Sequence, residues 1–244
     1  MRRRSLTELA NNPDLISGIY NYCDRWCERC PLTSRCLVYA TEQEDDYSPE
    51  NRDIQNDAFW KKIGSIFQET REMIDEWARQ AGVDLTAPIP EDELRSPRKR
   101  QLIDNHPLAK SGKSYANAAS DWFREFDEFG ETDVEDAREV IQWYQYQIAV
   151  KTMRALSGRR EELEEDPELP KDSDGSIKVA LIGVDRSIAA WRLMQLSLPE
   201  HADSIVPLIL QLARLRTRLE HAFPKAREFV RPGFDEKPGQ DFRI

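Results

Sequence analysis

Histidine, methionine and glycine are scarce: the 244 residues hold three His, four Met and ten Gly. Three His leave little for imidazole-based metal catalysis. None of His106, His201 and His221 stands three residues after a glutamate, so the Glu-x-x-His pairs of a di-iron bundle are missing. No apolar run approaches the ~20 residues that a membrane-spanning helix requires. Arg2, Arg3 and Arg4 lead into no apolar stretch of the secretory kind. Locally basic sequence is confined to Met1–Arg4 and Ser96–Arg100, and the net charge is −10 with a pI near 5.0. Phosphate contacts need Lys and Arg gathered on one face, so this balance disfavours nucleic acid. Ser111-Gly112-Lys113-Ser114 matches the end of a phosphate-binding loop, but Pro107 stands where the earlier glycine is required. The expectation is a cytoplasmic protein without a membrane or nucleic-acid partner.

What the chain does hold is material for a core: 39% hydrophobic residues, six Trp, seven Tyr and nine Phe, beside 33% charged residues. The periodicity predicts helices throughout and no strand. Leu6–Tyr22 reads as a short helix or a pair of turns, and a second short helix after Pro31, capped by Thr33 or Ser34, runs toward Glu44. From Ile54 to Ala81 the positions Ala58, Phe59, Ile63, Ile66, Phe67, Thr70, Met73, Ile74, Trp77 and Ala78 follow three-and-four spacing, closed by Gly82. Val83–Asn105, with Pro88, Pro90 and Pro97, reads as a long surface loop. Further helices are predicted over Pro107–Phe129, from Thr132 to Gly158, over Gly175–Leu198, and from Asp203 or Ser204, with Pro207 in the first turn, to Phe223. Arg159–Asp174 is an acidic linker, read as a loop within one domain. The nearly all-apolar helix Gly175–Leu198 should be central, with Asp185 paired to Lys151 or Arg154.

Four cysteines, Cys23, Cys27, Cys30 and Cys36, crowd into fourteen residues with the spacing C-x3-C-x2-C-x5-C. In a reducing compartment such a group points to metal ligation rather than disulfides. Structural zinc sites use two close pairs separated by a long loop. One contiguous run suits a larger cubane wrapped by a single loop. An iron–sulfur cluster, of the 4Fe–4S type, is therefore the leading cargo and zinc the alternative. Trp26, Tyr22 and Tyr39 are candidate shields for it, and Arg25, Arg29 and Arg35 are candidate compensators of thiolate charge.

Cys30-Pro31 resembles the Cys-Pro ending of bacterial ferredoxin cluster runs. Cys23, Cys27 and Cys30 resemble the C-x3-C-x2-C triplet of radical S-adenosylmethionine enzymes. Those enzymes leave one iron without a cysteine, whereas Cys36 would fill that position here. The string IYNYCDRWCERCPLTSRC is similar to the start of an uncharacterised bacterial protein family, a resemblance that implies no activity. Together these readings predict an all-α fold: a bundle of five or six helices over residues 51–230, a four-cysteine metal-binding segment over 1–50 packed on it, and an extended tail over 231–244. The functional expectation is an iron–sulfur protein for electron transfer or redox or iron sensing, with a redox or regulatory protein partner. The alternative is a zinc-stapled helical interaction protein that holds a partner on the bundle face or on the 83–105 segment. No motif argues for an enzyme.

Overall fold

The structure, a computed structural model, describes residues 6–44, 53–87, 97–126, 132–159 and 171–235. Among these residues it is all-helical, with no strand. They fall into two compact units, one within Met1–Asn12 and Val38–Ser96, the other within Pro13–Leu37 and Pro97–Ile244.

The first unit contains α1 (Leu6–Ala10), most of α2 (Leu37–Glu44) and α3 (Asp57–Ala81). The ends of α3 follow from local chemistry. Asn56 caps it by accepting the Ala58 N–H, and Gly82 closes it at φ 67°, a left-handed conformation that a residue with a Cβ adopts poorly. Of the apolar stripe expected to pack, only Ala78 is buried; Phe67 and Trp77 are more than half exposed, as is Trp60 beside it.

In the second unit, α5 (Pro107–Glu125), α6 (Thr132–Arg159), α7 (Asp172–Ser197) and α8 (Ala202–Ala222) form an antiparallel four-helix bundle. The pairings give the directions. Trp122 bonds Ser204 while Ser111 bonds Arg218, and Arg154 meets Asp172 while Tyr144 meets Arg186. The short helix Pro97–Asn105 packs on α5 and α6 in the same unit, while α3 belongs to the other. A knot of rings fills one end. Trp191 stacks on Phe123 at 5.4 Å and meets Trp122 edge-on at 5.0 Å, while its indole N–H donates to the Tyr115 hydroxyl. Burial pushes the Tyr115 phenol up to about 12. As expected, α7 is the most enclosed helix. At Gly183 it passes so close to α6 that an added Cβ would lie 2.8 Å from the Tyr144 ring.

Two expectations need correction. The segment 83–105 ends in a helix, α4 (Pro97–Asn105): Pro97 occupies the first helical position, where a missing N–H costs nothing, and Arg, Lys, Gln and Leu follow it. Pro207 lies inside α8, not in its first turn, because the helix begins at Ala202 directly after a 3-10 turn at Pro199–His201. Ser204 does not cap α8 by accepting a backbone N–H; its hydroxyl donates to the His201 carbonyl and accepts from Trp122. Most of the acidic linker, Gly130 and the tail beyond Asp235 lie outside the described residues. The start of the tail is held in place: Asp235 accepts from the Arg231 backbone and guanidinium and pairs with the half-buried Lys178 at 2.9 Å.

Two predictions follow from the packing of the second unit. An added Cβ at Gly175 would collide with the rings of Tyr22 and Phe229. Gly175→Ala should therefore cost about 1–3 kcal/mol of stability, whereas Gly64→Ala, where the space is open, should be neutral or stabilising by up to about 1 kcal/mol; chemical denaturation compares them. Burial opposes charge on Asp235, yet the bonds from Arg231 and Lys178 outweigh it and hold the carboxyl well below its ordinary range. Its stabilisation is therefore present above pH ~4 and lost as pH falls below it. Asp235→Asn should be less stable than the parent at pH 7, with the gap closing in acid, as read from urea midpoints across pH.

Candidate metal centre

The cysteines lie on the segment Pro13–Leu37 of the second unit, which is closed on itself by a 2.9 Å bond from the Ile16 N–H to the Arg35 carbonyl. Within it three 3-10 turns, Ile19–Asn21, Cys27–Arg29 and Thr33–Arg35, alternate with extended residues. Cys30 and Cys36 each follow a turn in extended conformation; for Cys30 the following Pro31 enforces this. Arg25 is the one described non-glycine residue with a left-handed backbone, φ 58°, and it turns the chain between Cys23 and Cys27.

The loop runs antiparallel along one face of α6. Lys151 and Arg154 donate to the Asn21 carbonyl. One turn and more toward the start of the helix, Trp143 and Gln147 donate to the Asp24 carbonyl, and the Tyr144 hydroxyl donates to the Asp24 carboxylate at 2.5 Å. Farther along, Arg29 pairs with Asp136 and Glu139. Positions 143, 144, 147, 151 and 154 share a helical face, so one helix presents a line of donors to the backbone of the loop. From α7, Arg186 donates to the same Asp24 carboxylate at 2.9 Å and to the Tyr144 oxygen. Asp24 thus ties the loop to two helices. Burial, then the Asp24 carboxylate, pushes the Tyr144 phenol well above its usual range, so it stays a donor. Trp26, next to Asp24 and Arg25, is buried and stacks on Trp143 at 5.0 Å, with the Arg29 guanidinium 4.3 Å over its ring.

All four cysteines are thiols rather than disulfides, and each is half-buried. Cys23 donates weakly to the Tyr20 carbonyl; burial pushes its pKa up, and the buried Lys151 cation partly offsets this. The Leu32 N–H points at the Cys30 sulfur at 3.4 Å. Cys30 also lines a cavity of about 430 Å³ with Asp24, Trp26, Arg29, Arg186 and Arg231. The donor set suits a thiolate-bound metal. Among the described residues, however, no three His, Cys, Asp or Glu side chains converge as ligands of one ion, so the sulfurs as placed do not make a coordination sphere.

Of the expected neighbours, Trp26 and Arg29 are packed beside the cysteine turns as described. Tyr22 reaches away to Asp172 at 2.8 Å and packs against Phe229, Arg35 donates to the Asp14 carbonyl, and Tyr39 belongs to the other unit. The expected partners of Asp185 are wrong. It pairs with Arg216 and Arg227, at 3.4 and 2.7 Å, while Lys151 and Arg154 are turned toward the cysteine loop. Lys113 sits in a helix and pairs with Asp104 at 2.7 Å, the arrangement of a structural ion pair rather than a phosphate loop.

No protein-family model, curated protein or solved structure matches the chain. Among the described residues no helix is long and apolar enough to cross a membrane.

If Asp24 is what fixes the loop, Asp24→Ala should lower stability by roughly 1–3 kcal/mol, since it leaves the buried Tyr144 hydroxyl without its acceptor. It should also open residues 13–37 to limited proteolysis before the bundle is cut. Mass spectrometry of the first fragments reads this directly.

Proposed function

We propose that the chain is a metal-binding protein whose cargo is held by Cys23, Cys27, Cys30 and Cys36, and that this cargo is an iron–sulfur cluster used for electron transfer or for redox or iron sensing. The reading is carried by one observation: four half-buried thiols share one short segment that is tied to α6 through its backbone and to α6 and α7 through the Asp24 carboxylate. A 4Fe–4S cluster accepts four thiolates from closely spaced positions. When bound it would supply one-electron chemistry. The residues of the chain would do the rest: Trp26 and Trp143 cover the loop from one side, and Lys151 places a buried positive charge beside Cys23. The acidic surface of the bundle then serves a redox or regulatory protein partner, and the reduced thiols imply the cytoplasm.

Anaerobic purification followed by an absorption spectrum and metal analysis tests the proposal. Broad absorption near ~400 nm with several irons per chain is the result expected of thiolate-bound clusters. Cys27→Ala and Cys30→Ala should each abolish it. One zinc per chain without colour, even after reconstitution with iron and sulfide, would replace the redox reading with a structural staple; no metal under either condition would overturn metal binding altogether.

A further inference from the structure

The apolar face of α3 is left open. Trp60 is 57% exposed, Phe67 71% and Trp77 59%, and Met73 and Ile74 are exposed beside them. Isolated apolar residues on a surface are ordinary, but a continuous stripe along a 25-residue helix marks an interaction face. Its spacing is specific. Ile63, Thr70 and Trp77 recur every seven residues, as do Phe59, Ile66 and Met73, and as do Trp60, Phe67, Ile74 and Ala81. This is a heptad with the a, d and e positions apolar except Thr70, the pattern of a helix that packs against other helices.

The polar face argues for the occupant. α3 carries Lys61, Lys62, Arg71 and Arg79 against Asp57, Glu69, Glu72, Asp75 and Glu76, a net charge of −1. That excludes the cationic polar face with which an amphipathic helix lies on an anionic membrane. The charges are also unevenly placed along the axis. The first half, with Asp57, Lys61 and Lys62, sums to +1, and the second half, from Glu69 to Arg79, sums to −2. A second copy laid antiparallel sets each positive half against a negative one; laid parallel it opposes like with like. In the antiparallel register Ile63 meets Met73 of the second copy, Trp77 meets Phe59, and Thr70 meets Ile66. Lys62 then flanks Glu76 at both ends, while Glu69 alone faces its own copy across the axis.

We propose that α3 is a homodimerisation helix that pairs antiparallel with the α3 of a second copy of the chain. The heptad supplies the burial, and the lengthwise charge asymmetry selects the second copy and its direction.

Sedimentation equilibrium of the full chain is the test. The expected result is a dimer at micromolar concentration that becomes monomeric in Phe67→Glu/Ile74→Glu, a variant that alters only exposed positions and should keep its far-ultraviolet dichroism. Reversing Lys61 and Lys62 to Glu should weaken the dimer several-fold, as should reversing Glu72 and Glu76 to Lys, and combining the reversals should restore it. A monomeric parent protein overturns the proposal, as does a dimer that survives Phe67→Glu/Ile74→Glu. Reversals that do not compensate for each other overturn the antiparallel pairing.

Discussion

Asp24 is the residue on which the arrangement of the cysteine loop depends. Its carbonyl takes two donors from α6, and its carboxylate takes one from α6 and one from α7. The bonds from Tyr144, Arg186 and the Trp26 backbone offset the cost of partly burying this carboxylate. Each thiol stands within twelve residues of Asp24 along the chain. The backbone of the cysteine segment is therefore tied to the bundle at Asn21 and Asp24.

This ordering gives α6 two jobs on adjoining faces. One face carries Ile141, Tyr144 and Ile148 into the core, and the adjoining face carries Trp143, Gln147, Lys151 and Arg154 to the loop. Tyr144 belongs to both, with its ring in the core and its hydroxyl on Asp24. Close passage of α7 at Gly183 brings Arg186 within reach of the same carboxylate. Packing inside the bundle and presentation of the cysteines are thus physically coupled through a few shared side chains.

Much of this was legible in the sequence. Asn56 and Gly82 bound α3 as local rules require, the enclosure of α7 followed from its apolar run, and the four cysteines announced themselves by spacing. What escaped was long-range. The amphipathic stripe of α3 predicts a packing face but not what packs on it, and α3 falls in a different compact unit from α5, α6, α7 and α8. The prolines before α4 outweighed its helix-forming residues in a local reading. The sequence shows that Asp185 needs a basic partner but not which one: Arg216 and Arg227 supply it, while Lys151 and Arg154 take a backbone carbonyl, and no sequence pattern encodes that choice. Asp24 carried no signal of its own beyond its place between two cysteines.

The most direct measurement of the central claim is X-ray absorption at the metal edge of the anaerobically isolated protein. An all-sulfur first shell near ~2.3 Å, as thiolate ligation gives, is what a loop of four cysteines tied down through Asp24 predicts. A shell of oxygen or nitrogen, or a metal signal that persists unchanged when Cys23, Cys27, Cys30 and Cys36 are all replaced by serine, would contradict it.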